Sequence, residues 1–106
     1  MSDPVQMQLD AYSARDLEVF ISCYATDVVV TEPDGTPMLS GHQEMRVRYG
    51  ALFGRPGVLH ADVPHRVRAG SWTVDHEHLV SGDLQMEALV AYQVHDGLIT
   101  RVVILT

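Results

Sequence analysis

Over the first half of the chain, apolar residues recur every three to four positions; over the second half they alternate with polar ones. The first pattern predicts helices and the second predicts strands. Asp3-Pro4-Val5-Gln6 opens the first helix. Asp3 is a good N-cap, Pro4 is tolerated at the first helical position, and Gln6 stands where a capping box wants it. Val5, Leu9 and Tyr12 then share a face. A second helix is expected from about residues 13–16 to about Ala25, with Leu17, Phe20, Ile21 and Tyr24 at helical spacing. The β-branched run Val28-Val29-Val30-Thr31-Glu32 predicts a short strand, and Pro33 keeps the residue before it extended. Pro33-Asp34-Gly35-Thr36 is a turn, after which residues 37–39 return as a short strand. Ser40-Gly41-His42-Gln43 reads as another capping box. It opens a third helix with Met45, Tyr49, Leu52 and Phe53 inward, ended by Gly54 and Pro56-Gly57.

From Val58 onward the pattern predicts a four-strand meander at about residues 58–68, 71–80, 85–94 and 98–105. Turns fall at Ala69-Gly70, Ser81-Gly82-Asp83 and Asp96-Gly97. Asp-Gly between β-rich runs favours a two-residue type I′ hairpin. Strands this long in a small chain favour a strongly bent sheet. Helices on one antiparallel sheet give an α+β fold of two layers. Three short helices cannot cover a curved sheet completely, so a cavity between the layers is expected.

Composition narrows the chemistry. A length of 106 residues suits a single domain, 1–106. One cysteine, Cys23, rules out an intramolecular disulfide and any paired-cysteine zinc or redox motif. All seven basic residues are arginines, which excludes Schiff-base lysine chemistry and a Walker-type phosphate loop. A formal net charge of −7 without a basic run disfavours nucleic acid and anionic membrane as partners. A small apolar molecule suits the chain better. The start Met1-Ser2-Asp3-Pro4 has no basic or apolar leader pattern, so a cytoplasmic location is expected.

The segments Asp16-Leu17-Glu18, Cys23-Tyr24-Ala25-Thr26-Asp27-Val28, Glu32-Pro33-Asp34-Gly35 and Ser40-Gly41 occur in the order helix–helix–strand–turn–helix–meander. Together they resemble the NTF2-like superfamily, in particular its SnoaL-like and ketosteroid-isomerase-like branch. Asp96-Gly97-Leu98-Ile99 is similar to the family's last hairpin. The resemblance covers nearly the whole chain. It implies a cone-shaped fold in which three N-terminal helices pack on a strongly curved antiparallel sheet. It also implies a homodimer, since the family commonly uses the open sheet face for dimerisation. Ketosteroid isomerase pairs an aspartate base with a tyrosine donor and a protonated aspartate donor. By resemblance the base position is Glu32, the tyrosine position falls on Gln8, and the protonated-aspartate position falls at or near Val90. Tyr24 and Tyr49 match aromatic positions at the pocket floor. With two of three roles changed or lost, a competent steroid isomerase is not expected.

On the strand at 71–80, Trp72, Val74, His76, His78 and Val80 share one side, and Thr73, Asp75, Glu77 and Leu79 the other. A rough match to the family puts the even side toward the pocket. His76 and His78 would then face the cavity with Glu32, and a histidine–carboxylate pair is a workable acid–base couple. The alternative is a hydrogen-bonded strand at a dimer surface. His-x-His with a carboxylate also suggests metal binding, but no third ligand has diagnostic spacing, and no metal is assigned. Tyr12, Tyr92 and Trp72 are expected in the pocket wall.

The resulting expectation is a SnoaL-like small-molecule protein of the isomerase, cyclase or dehydratase type, without an organic cofactor. Glu32 is its acid–base residue, His76 or His78 the partner, and Gln8 a hydrogen-bond donor. The competing expectation is a non-catalytic NTF2-like ligand-binding or dimerisation module.

Overall fold

The computed structural model describes residues 3–106, and its helices begin where the capping residues place them. Asp3 accepts the backbone N–H of Gln6 (3.4 Å) ahead of α1, Pro4–Ala14. Asp16 accepts that of Val19 (3.2 Å) ahead of α2, Leu17–Ser22. Between them Arg15 takes a left-handed conformation (φ 58°) that reverses the chain. Its guanidinium then reaches the carbonyls of Phe53 and Arg55 (2.7 and 2.6 Å), so charge-assisted bonds offset the cost of that conformation. Next come β1, Tyr24–Thr31, and β2, Pro37–Ser40. The third helix, α3, Gly41–Phe53, starts after Ser40. There Glu44, rather than Gln43, reaches back to the Ser40 N–H (3.0 Å).

The remaining strands are β3, Leu59–Ala69; β4, Trp72–Ser81; β5, Leu84–His95; and β6, Leu98–Ile104. At the last hairpin Asp96 and Gly97 both have positive φ (51° and 78°), as a type I′ turn requires.

The sheet has six strands in the order β2-β1-β6-β5-β4-β3. Two expectations are corrected here. The sheet is mixed rather than antiparallel, because β6 inserts beside β1 and runs parallel to it. The helices are also not all N-terminal, since α3 follows the β1–β2 hairpin. The same pairing starts β1 earlier than the sequence suggests. Tyr24 pairs with Ile99, and the Ile99 N–H bonds to the Cys23 carbonyl (2.9 Å), so residues read as the end of α2 become strand.

Register shifts within β3, between Asp62 and His65, and along β5–β6, between Gln93 and Val94, bend the long strands. α1 packs on β3 and α3 on β1, so one face of the sheet is covered. Val5, Phe20, Val28, Met45 and Ile99 are fully buried between the layers. Each such side chain contributes about 1.5–3 kcal/mol. Phe20 is the hub, with ring centroids 4.6 Å from Tyr49, 5.2 Å from Tyr24 and 5.5 Å from Phe53.

Candidate functional site

A cavity of about 260 Å³ lies between the helices and the inner face of the sheet. Its walls are mostly aliphatic and aromatic. Two charged side chains border it: Glu77 from β4 and Arg48 from α3. Glu77 is only 6% exposed, whereas Arg48 and Met38 are the exposed lining residues and so mark the mouth.

At the inner end, four side chains form one directed hydrogen-bond chain. The Gln8 amide nitrogen donates to the Val5 carbonyl (3.0 Å), which can only accept. That contact fixes the orientation of the amide. Gln8 Oε1 therefore accepts from the Tyr24 hydroxyl (3.1 Å), and Gln8 Nε2 donates to the Tyr92 oxygen (3.4 Å). Tyr92 in turn donates to Glu77 Oε2. With Oε2 so occupied, Oε1 is the oxygen of Glu77 left to gain or lose a proton. Among the described residues it bonds to no protein group, and it is not among the fully occluded polar atoms.

Burial raises the Glu77 pKa from 4.5 to about 7. The Tyr92 hydrogen bond opposes this, Asp75 beside it adds to it, and Arg66 opposes it. Arg66 and Asp75 form a two-point ion pair just along the sheet (2.7 and 2.9 Å), with Asp75 0% exposed. Gln6 accepts a further bond from Arg66 (2.8 Å). Burial, with the Glu77 charge behind it, holds Tyr24 and Tyr92 well above the usual phenol range, so both stay neutral donors. Tyr12 and Tyr49 also border the cavity with pKa values raised by burial, and no protein hydrogen bond forms at their hydroxyls among the described residues. The site thus offers a carboxyl poised near neutrality and two neutral hydroxyls free to donate.

This arrangement makes a direct prediction. Tyr92→Phe removes the bond that holds the Glu77 pKa down, so its titration should move upward from about 7. The expected displacement is on the order of one pH unit, about 1.4 kcal/mol. Carbon-13 NMR titration of the labelled glutamate carboxyls reads it directly; an unmoved or lowered midpoint would contradict the network.

Of the residues singled out from sequence, Gln8, Tyr12, Tyr24, Tyr49, Val90 and Tyr92 lie on the cavity. Glu32, Trp72, His76 and His78 do not, and each position is a correction. Glu32 is exposed, and its backbone closes the turn through bonds with Thr36 and Gly35 (2.9 Å each). The reason is a register shift between Val30 and Thr31. An irregularity of this kind inverts the alternation of a strand. Val30 and Thr31 are therefore both buried, and Glu32 turns outward. On β4 the odd side, Thr73, Asp75 and Glu77, is the buried one. Trp72 is half-buried on the opposite face. His76 there bonds to His65 (3.2 Å) and Glu87 (2.9 Å), and His78 approaches Asp62 (3.4 Å).

Sequence reasoning placed Glu77 on the wrong face, yet a signal was available. A two-residue turn at Gly82-Asp83 makes Ser81 face Leu84, and counting back pairs Glu77 with Ala88, Asp75 with Val90 and Thr73 with Tyr92. Directly opposed residues share a face, so Val90 and Tyr92 in the pocket require Glu77 there too. Arg48 was also legible: it lies three residues after Met45 and four before Leu52, on the flank of the inward stripe of α3.

Among the described residues, no group of three or more histidine, cysteine, aspartate or glutamate side chains is placed to hold a metal ion. Among the same residues, no helix is long and apolar enough to cross a membrane.

The fold and the cavity define a class. Residues 5–102 match the SnoaL-like domain family. Solved structures agree in shape. An uncharacterised cystatin-fold protein from Novosphingobium aromaticivorans superposes with a TM-score of 0.87 at 20% identity, covering 97% of this chain and 95% of that one. A SnoaL-like protein of unknown function from Burkholderia thailandensis gives 0.76 at 19% identity, covering 93% and 87%. A computationally designed 17-OHP binder gives 0.82 at 15% identity, covering 100% and 92%. No curated protein matches the sequence significantly. The chain belongs to the SnoaL-like domain family.

Proposed function

We propose that residues 1–106 form a single SnoaL-like domain that binds a small, largely apolar molecule and transfers a proton on it, in the manner of an isomerase, cyclase or dehydratase. The observation that carries this reading is Glu77: a buried carboxyl with a pKa of about 7, bordering an apolar cavity. A group with a pKa near the working pH is best suited to both take and return a proton. Glu77 takes the role that sequence reasoning gave to Glu32. A substrate carbonyl next to the acidic carbon would accept from Tyr12 or Tyr49, whose hydroxyls border the same space. Such donors stabilise negative charge as it develops on the oxygen. No organic cofactor is needed for a proton transfer of this kind.

A non-catalytic binding or dimerisation module is the second reading. Val90 supports it, because it borders the cavity at the position where the resemblance places the family's protonated-aspartate donor and can donate nothing there. The uncovered sheet face supports the dimer expectation, since Val67 there is 67% exposed and Leu89 40%.

A thermal-shift screen of small ketones, lactones and aromatic polyketides identifies the ligand class. On a ligand that turns over, Glu77→Gln is expected to lower kcat by roughly 10²–10⁴. In the wild type, kcat/KM for a base-initiated step should rise with pH through about 7. Wild-type turnover by the Gln variant removes Glu77 from the mechanism and leaves the binding module.

A further inference from the structure

Most arginines of this chain are engaged. Arg46 pairs with Glu18, Arg66 with Asp75 and Arg68 with Asp3, and Arg15 holds backbone carbonyls. Among the described residues, Arg48 forms no ion pair or hydrogen bond to protein. It is also the arginine that borders the cavity, and it borders a side cleft of about 50 Å³ that shares Val30, Met38, Tyr49 and Ile104 with it. Its position on α3 is fixed from beneath by fully buried Met45, one turn before it. An unpaired guanidinium at an apolar mouth, in a chain of net charge −7, is a local exception to the protein's field.

The two charged groups of the cavity differ in depth. Glu77 is buried at the inner end and Arg48 is exposed at the mouth. An anionic ligand group is repelled from the inner end whenever Glu77 is ionised and attracted to the outer end at every accessible pH. The guanidinium stays charged and presents paired N–H groups that match a carboxylate. Size adds a second constraint. A volume of about 260 Å³ lies just below the roughly 300–1,000 Å³ of drug-sized sites.

We propose that the cavity is an anion-anchored site for small carboxylic acids: the carboxylate rests on Arg48 at the mouth, and a carbonyl or hydroxyl carbon lies inside at Glu77. This rests on the proton-transfer reading of Glu77 and adds the substrate class to it. The ligand is a compact acid with one polar function at the end remote from its carboxylate and an apolar body between.

Two isosteric probes test it: 4-acetylbenzoate, and 4-acetylbenzamide, which replaces the anion by a neutral amide. Both are titrated calorimetrically into the wild type, Arg48→Gln and Glu77→Gln, with NMR shifts of the Met45 methyl reporting occupancy of the cavity. The wild type should bind the acid about tenfold more tightly than the amide, and Arg48→Gln should abolish that preference while leaving amide binding within about twofold. Glu77→Gln should retain the preference. Arg48 is exposed, so its replacement is not expected to disturb folding. Equal affinity of the two probes for the wild type overturns the anion anchor but leaves the Glu77 reading standing. Preference that survives in Arg48→Gln also overturns it, by placing the anion elsewhere. Binding of neither probe in the cavity overturns the anchor together with the small-ligand reading.

Discussion

Replacing Glu77 by Gln is expected to stabilise the folded protein by about 3 kcal/mol at about pH 8, and to leave it nearly unchanged at about pH 4. The folded-state pKa of about 7 stands above the ordinary 4.5. Between those values the native protein holds a proton that the unfolded chain has released. The stability contribution is therefore complete below 4.5 and is lost as pH rises through about 7. Above that, the wild type must keep a carboxylate in an apolar cavity, and burial is the main reason that is unfavourable. Glutamine fills the same volume, still accepts from Tyr92 and carries no charge. Melting temperatures of both proteins across about pH 4–9 should diverge from near zero to roughly 10 °C or more at the alkaline end. A difference that does not vary with pH would mean that Glu77 does not titrate as the cavity demands. A carboxylate retained at such a cost is expected where it serves function rather than folding.

The second large effect is at the neighbouring ion pair. Arg66→Met is expected to cost about 3–5 kcal/mol, because it leaves Asp75 without its cation at 0% exposure. That is a large fraction of the roughly 5–15 kcal/mol that holds a protein of this size together. Arg66→Met/Asp75→Val should recover most of the loss, since a packed apolar pair can replace a buried ionic one. Urea denaturation of the two variants and the wild type measures both steps; a single variant within about 0.5 kcal/mol of wild type would contradict the buried pair. The same replacement reaches the site. Arg66 holds the Glu77 pKa down and Asp75 pushes it up, so losing the arginine alone should move the Glu77 midpoint upward.

Local chemistry accounts for the parts of the fold that were readable in advance. Asp3 caps the first helix through its own side chain, and Asp96-Gly97 closes a two-residue hairpin with positive φ at both positions. Each depends on residues within a few positions of one another, so the sequence carries them whatever the rest of the chain does. The order of elements carries the family resemblance for the same reason. From the helical half, Tyr12 and Tyr49 on the cavity follow from helical spacing, which assigns a face over several turns, whereas Gln8 was placed only by the family resemblance.

Strand faces are less constrained. On β4 the inward set Thr73, Asp75, Glu77 is more polar than the outward set Trp72, Val74, His76, so alternation alone points the wrong way. The inward carboxyls are tolerated because Arg66 pairs with one and Tyr92 donates to the other, and both partners come from different strands. The Asp3 cap, the hairpin turns and the extent of the four-strand meander are thus determined by the sequence itself. The parallel pairing of β1 with β6, the irregularity that turns Glu32 outward, and the face of β4 that brings Glu77 to Gln8 and Tyr92 were decided by the tertiary structure. The physical reason is that a shift of one residue moves a whole strand from one face to the other. Only contacts between distant segments fix that choice.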